Sequence, residues 1–149
     1  MTIRYLEDFA VGQTYGSGRL TVEEARIRTF AAEFDPQPFH MDEAAAAETL
    51  LGGLAASGWH TCALFMRMMC DGWFGATASM GSPGVDSLKW LRPVRPGDVL
   101  SGRSLVLDTR GSQSRPDRGF VRFRHEVFNG RGELVMVLEN PIMFGRRSA

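Results

Sequence analysis

The sequence predicts one α+β domain in which an antiparallel sheet covers a single long, mostly apolar helix. Three observations carry this. The first half of the chain holds apolar stretches at helical spacing, and from Ser82 onward the apolar period changes to that of strands, broken by Pro-Gly, Gly-Ser and Asn-Gly turn signals. The stretch from Trp59 to Phe74 carries only two charges, Arg67 and Asp71, so it must be buried on most sides. Helices followed by a run of strands belong to a domain whose helix needs a sheet to cover it. At 149 residues, 44% hydrophobic and 23% charged, the chain is sized for one core, and residues 1–149 read as one domain.

The elements follow in order. Leu6 to Tyr15 is a Gly-punctuated opening, and Ser17-Gly-Arg-Leu20 leads into Thr21, which with Glu24 spells a capping box before a helix ending near Phe34. Asp35-Pro-Gln-Pro-Phe-His40 stops that helix, because two prolines remove amide donors and hold the chain extended. Asp42 caps a short helix through Ala44–Ala47 to about Leu51, where Gly52-Gly53 breaks it. Ser57-Gly58 opens the long helix, on which Arg67 and Asp71 form an i,i+4 pair. Strands are expected over Val85–Trp90, Asp98–Asp108, Gly119–Phe128 and Glu133–Phe144. In the third of these, Arg122, Arg124 and Glu126 alternate with Val121, Phe123 and Val127, which gives one wet and one buried face. His125 is assigned with Arg124 and Glu126 to the wet face. Asn129-Gly130-Arg131-Gly132 closes a hairpin to the last strand.

Composition excludes several classes of function. Lys+Arg and Asp+Glu both count 17, so no net field draws the chain onto nucleic acid or an anionic membrane. No stretch approaches the roughly 20 apolar residues of a membrane span, and the opening Met1-Thr-Ile-Arg-Tyr-Leu lacks the pattern of a signal peptide, so the expected location is cytoplasmic. Cys62 and Cys70 lie in one predicted helix, too far apart along its axis to bridge, and the three histidines have no metal-ligand spacing. The expected chemistry is organic, with no metal and no redox cofactor. Charge is nevertheless uneven along the chain. Residues 1–85 hold five arginines against ten acids, whereas residues 86–124 hold Lys89 and eight arginines against four acids. Solvated strand charges explain this asymmetry, and so does a small site for a phosphorylated ligand.

Asp35 and His40 form the pair best suited to chemistry, since a carboxylate and an imidazole on one rigid loop can orient water and relay its proton. Spacing alone also allows Asp35 to be a helix end and His40 a turn residue. The run Asp35-Pro-Gln-Pro-Phe-His40-Met-Asp42, then Gly52-Gly-Leu-Ala-Ala-Ser-Gly58-Trp-His-Thr, resembles the MaoC-like dehydratase family, which includes the R-specific enoyl-CoA hydratases. Asp8-Phe-Ala-Val-Gly-Gln13, Thr21-Val-Glu-Glu-Ala25 and Arg92-Pro-Val-Arg-Pro-Gly-Asp98 extend the resemblance to that family's opening strand, its first helix and the turn after its central helix.

The resemblance implies a hotdog fold, a homodimer or higher homo-oligomer, and an acyl thioester substrate bound near the subunit interface. It implies that Asp35 and His40 hold the water that adds to a trans-2-enoyl thioester, with R stereochemistry, and that the Gly58 N–H receives the thioester oxygen. Three positions depart from the family pattern: Phe34 replaces a glycine, Gln37 an asparagine, and Met66 a serine that supports the site in R-specific hydratases. Gln37 keeps an amide, whereas Met66 cannot donate a hydrogen bond.

Other residues have simpler readings beside the functional ones. His60 is expected to be a core histidine bonded to a backbone carbonyl, or a support for the site, and Met66, Met68 and Met69 read as helix core with Phe65 and Trp73. Lys89, Arg92, Arg95, Arg110, Arg115 and Arg118 can meet the phosphates of coenzyme A or of a phosphopantetheine arm, with Arg92, Arg95, Arg115 and Arg118 the chosen candidates. The leading reading is a hydratase or dehydratase of acyl thioesters. Its rivals are a hotdog thioesterase, which directs water at the carbonyl, and a protein that binds acyl thioesters without turnover.

Overall fold

The computed structural model describes residues 2–148. Five strands form one antiparallel sheet: β1 (Thr14–Thr21), β2 (Ser87–Trp90), β3 (Val99–Gly111), β4 (Arg118–Phe128) and β5 (Leu134–Gly145), in the spatial order β1-β3-β4-β5-β2. Three helices, α1 (Glu24–Phe34), α2 (Glu43–Ala47) and α3 (Gly58–Gly72), precede all but the first strand. One face of the sheet packs on α3, which is the hotdog arrangement.

Side-chain alternation explains that packing. Along β4 every second residue is buried, and Val121, Phe123 and Val127 meet Phe65, Met68 and Met69 of α3 in a core completed by Leu100, Val106, Ile142 and Phe144. Gly102 of β3 is part of the fit, because a Cβ there would lie 2.7 Å from Cε1 of Phe65, so the absent side chain is what lets the ring seat against the sheet. The opposite face carries paired charges. Arg103 meets Glu126 at 2.7 Å, Arg124 meets Glu139 at 3.3 Å, and Arg122 meets Asp86 at 2.7 Å. Arg103, Arg122 and Arg124 are thus interleaved with acids of neighbouring segments on a solvated face, as the simpler reading has it, while Arg92 and Arg95 lie elsewhere.

Several expectations are corrected. A fifth strand, β1, runs over residues that the sequence pattern left as an opening and a helix lead-in. It is an edge strand with two glycines and a register irregularity between Ser17 and Leu20, so its alternation is weak. Thr21 closes β1 and is not a helix cap; α1 starts one residue after Glu23, whose side chain makes no capping bond. Asp42 does cap α2, accepting the Ala45 N–H at 2.9 Å, but α2 ends at Ala47, short of Leu51. The hairpin at residues 129–132 forms as expected, with Asn129 Oδ1 accepting the N–H groups of Arg131 and Glu133. Among the described residues no helix is long and apolar enough to cross a membrane.

His125 lies on the buried face, not the wet one. It shares the parity of Val121, Phe123 and Val127 and is 2% exposed. A buried imidazole needs partners for both nitrogens. Ser104 Oγ is 2.8 Å from Nδ1 and Asn140 Oδ1 is 3.0 Å from Nε2, an arrangement that satisfies a neutral ring whose Nε2–H donates to Asn140. Burial pushes the His125 pKa down to about 4.

Candidate active site

The site is assembled around a buried, irregular segment, Gly53–Ser57, that joins α2 to α3. Backbone groups buried outside regular structure must find other partners. Here they find side chains: Leu54 N–H donates to Glu43 Oε2 at 2.9 Å, the Arg95 guanidinium donates to the carbonyls of Leu51, Gly53 and Leu54, and His40 meets the Ala55 carbonyl. The Ala56 N–H donates to Val94 O at 2.9 Å, tying the segment to the chain between β2 and β3.

On this base the Asp35–His40 loop is held tightly. Asp35 follows the last residue of α1, and its N–H donates to Ala31 O at 2.9 Å. Pro38, Phe39 and His40 form one turn of 3₁₀ helix, with Pro38 in the first position, where the missing N–H leaves no donor unpaired. This turn carries the imidazole back toward Asp35. His40 Nδ1 is 2.7 Å from Ala55 O, so Nδ1 carries a proton and donates to that carbonyl. Nε2 is then the nitrogen turned toward the loop's carboxylate. It faces Asp35 Oδ2 at 3.4 Å, and both side chains are largely buried.

Asp35 has two further partners. Gln37 Nε2 donates to Oδ1 at 2.6 Å, and Ser57 Oγ donates to Oδ2 at 2.7 Å. Burial alone would raise the Asp35 carboxyl, but the hydrogen bonds from Gln37 and Ser57 and the neighbouring His40 outweigh it and hold the group below the usual carboxylate range. Asp35 is therefore an anion at neutral pH, able to accept a proton from a water molecule. The longer amide of Gln37, at a position where the family pattern has asparagine, still reaches the carboxylate.

Beside this pair lies a cavity of about 280 Å³, lined by Phe39, His40, Leu51, Ala55, Gly58 and Trp90 among others. Gly58 is the first residue of α3, so its N–H lies outside the helical ladder, at the positive end of the helix dipole. A Cβ on Gly58 would overlap the Trp90 indole, so the absence of a side chain there is a packing requirement as well as an opening to the cavity. The walls are mostly apolar and aromatic, with His40, Thr61 and Arg92 as the polar side chains, the usual make-up of a small-molecule pocket.

Of the expected site residues, Asp35, Gln37 and His40 meet one another, and His40 and Gly58 line the cavity, whereas Asp35 and Gln37 are not among its lining residues. Arg92 stands on the cavity wall, paired with Glu133 at 3.3 Å. Arg95 is close by, but its guanidinium is occupied by backbone carbonyls of the buried segment. Arg118 starts β4 opposite Gly145, at the far end of β5 from Val135, which lines the cavity. At about 3.3 Å per residue that separation is roughly 30 Å. Arg118 pairs with Asp117 there, and Arg115 lies in the adjoining loop. Within one chain neither reaches the cavity.

His60 and Met66 stand apart from Asp35 and His40. His60 stacks on Phe30 with ring centroids 4.6 Å apart and an interplanar angle of 7°, and it lines a second cavity of about 540 Å³ between α1 and α3 that shares no residue with the first. Among the described residues its Nδ1 is buried without a hydrogen-bond partner, so the expected carbonyl contact is not made there, and burial lowers its pKa. Met66 is 49% exposed on the outer side of α3 and lines neither cavity.

Ser57 and Trp90 were not among the expected site residues. A serine before a long helix signals a cap, and nothing local distinguishes a capping hydroxyl from one turned toward a distant carboxylate. Trp90 ends a strand whose contact with Gly58 is a tertiary event. Among the described residues no group of three or more His, Cys, Asp or Glu side chains is arranged to hold a metal ion.

Comparison with known proteins places this geometry in context. The model of a family described as the MaoC like domain matches residues 8–127. The uncharacterised protein YdeM of Bacillus subtilis is 32% identical over 142 residues, covering 95% of this chain and 99% of that protein. Among solved structures, a MaoC-like dehydratase from Rhodospirillum rubrum is 44% identical with a TM-score of 0.90, over 97% of this chain and 99% of that one. The unliganded R-hydratase PhaJ1 from Pseudomonas aeruginosa is 25% identical with a TM-score of 0.69, over 97% of this chain and 91% of that one.

Proposed function

This chain belongs to the MaoC-like family, and from that premise we propose that it catalyses the reversible syn hydration of a trans-2-enoyl thioester to the (R)-3-hydroxyacyl thioester. The observation that carries the reading is an ionised Asp35 and a tautomerically fixed His40 beside an apolar cavity that also exposes the start of α3. The R-hydratase and dehydratase names of structural relatives support the same class of reaction.

The chemistry follows from these groups. Water attacks C3 of the conjugated thioester, and the C2=C3 electron pair moves toward the carbonyl, building negative charge on its oxygen. The Gly58 N–H receives that oxygen, and because it is a fixed backbone donor at a helix start it needs no reorganisation as charge develops. Asp35 orients the water and draws off its proton as the C3–O bond forms, and a proton is delivered to C2 from the same face by the Asp35–His40 pair. Water is consumed and the pair returns to its starting protonation. In the reverse direction C2 loses a proton and C3 loses hydroxide as water.

The cavity of about 280 Å³ lies just below the roughly 300–1,000 Å³ that holds a drug-sized ligand, which favours a short acyl group. Arg92 at the wall is the arginine best placed to meet a carrier phosphate. The carrier is coenzyme A or a phosphopantetheine arm, and no cofactor beyond the thioester is invoked.

The test is an absorbance assay of the purified protein on short, medium and branched trans-2-enoyl-CoA thioesters, following loss of the conjugated thioester while titrating free thiol. Loss of conjugation without thiol is expected. Thiol release would replace this reading with a thioesterase. Silence in both channels, with ligand binding shown independently, would leave a binding protein.

A further inference from the structure

We infer that Ser57 is a positioning residue for Asp35, and that the dipeptide Ser57-Gly58 sets the distance between the group that handles water and the amide that receives the thioester oxygen. The inference rests on the hydration reading above, but its geometry is independent of it. Ser57 occupies the N-cap of α3, where a serine hydroxyl ordinarily accepts a hydrogen bond from an amide of the first turn. Here it makes no such bond. The hydroxyl is fully buried and donates instead across a separation of 22 residues to Asp35 Oδ2, at 2.7 Å. The helix therefore starts without its side-chain cap, and the donor is spent on the carboxylate.

The other restraints on Asp35 are local. Gln37 lies two residues away, and His40 lies in the same loop, so both move with Asp35 if that loop shifts. Ser57 is the contact that ties the carboxylate to α3 itself, one residue before Gly58. Side chain 57 and amide 58 thus grip the two ends of the reacting system from adjacent positions on one rigid element. A carboxylate offers about four lone-pair sites. Gln37 takes one on Oδ1 and Ser57 takes one on Oδ2, so the carboxylate keeps acceptor capacity for a reacting water.

Loss of the Ser57 donor should act through Asp35 without altering the acyl cavity, since Ser57 does not line it. In Ser57→Ala the Asp35 carboxyl should titrate at higher pH, because a bond that favours its charged form is gone. A hydrogen bond to a charged group is worth enough for kcat to fall about 10- to 100-fold with little change in KM. The experiment measures the Asp35 carboxyl titration by carbon-13 NMR in wild type and Ser57→Ala, together with the pH profile of kcat. The expected result is an upward shift of both the NMR titration and the acid limb of the profile. A well-folded Ser57→Ala in which neither moves would overturn the inference and return Ser57 to a packing role. Ser57→Cys, nearly isosteric but a weak donor, keeps the test available if alanine disturbs folding, and it should show an intermediate shift. If wild type turns over no enoyl thioester, the hydration reading fails, while the NMR titration still decides whether Ser57 governs Asp35.

Discussion

His125 shows how one residue can decide pH behaviour from inside the core. Its pKa falls to about 4 through burial, against an ordinary value of 6.5. Between these values the unfolded chain binds a proton that the folded chain refuses. Stability is therefore full above about pH 6.5 and is lost as pH falls toward about 4, by on the order of 3 kcal/mol for this group. His60, also lowered by burial, acts in the same direction. Urea unfolding at pH 7 and pH 4.5 should show the loss, and His125→Gln should flatten the difference even though it is less stable at neutral pH. An unchanged pH dependence in that variant would place the proton elsewhere. At this scale the sequence was legible where chemistry is local. Asp35, Gln37 and His40 sit on one short proline-stiffened loop, so their proximity follows from spacing and restraint. His125 was misassigned because its neighbours in sequence, Arg124 and Glu126, are polar, whereas strand parity puts it with Val121, Phe123 and Val127. Ser57 was hidden because its partner is far away in the chain.

At the scale of elements, β2 contributes more to the site than its four residues suggest. Trp90 lies against Gly58 at the start of α3, and its ring is edge-on to Trp59, with centroids 5.1 Å apart at 83°. This indole forms one wall of the cavity beside His40. Trp90→Ala should enlarge the cavity and move preference toward longer enoyl groups, by roughly fourfold in kcat/KM for each added methylene that gains burial. Rates on an acyl-chain series would show this, and an unchanged chain-length profile would remove Trp90 from specificity. The long helix, its partner strands and the final hairpin were legible because period and turn chemistry agree there, although α3 buries one face and leaves Trp59 and Met66 exposed where burial on most sides is expected. β1 was not, since an edge strand with Gly16 and Gly18 and an irregular register has little alternation to read. Arg95 illustrates a different limit. Its type suggested a phosphate ligand, but the buried segment between α2 and α3 needs donors for its carbonyls, and that demand exists only in three dimensions.

For the whole molecule, the sheet ends at β2 with one side unpaired in the single chain, and exposed apolar side chains gather nearby: Trp59, Trp90 and Leu91. An open strand edge with an apolar surround is a surface that a second copy can cover with twofold symmetry. The expected assembly is a homodimer, and light scattering coupled to gel filtration should give a mass of twice 16.5 kDa or a multiple of that dimer. A monomer at micromolar concentration would contradict this. The fold class was legible at this scale because helices and strands segregate along the chain. What joins the site into a working whole, the Ser57–Asp35 contact and the Trp90–Gly58 contact, depends on how those elements pack.

The most direct test of the account compares wild type with Asp35→Asn on a trans-2-enoyl-CoA substrate, measuring turnover and equilibrium binding on the same preparations. The account predicts that the amide variant binds the thioester within a few-fold of wild type and loses about 100-fold or more of its hydration rate, since it can no longer take a proton from water. An undiminished rate in Asp35→Asn would contradict it and remove Asp35 from the chemistry.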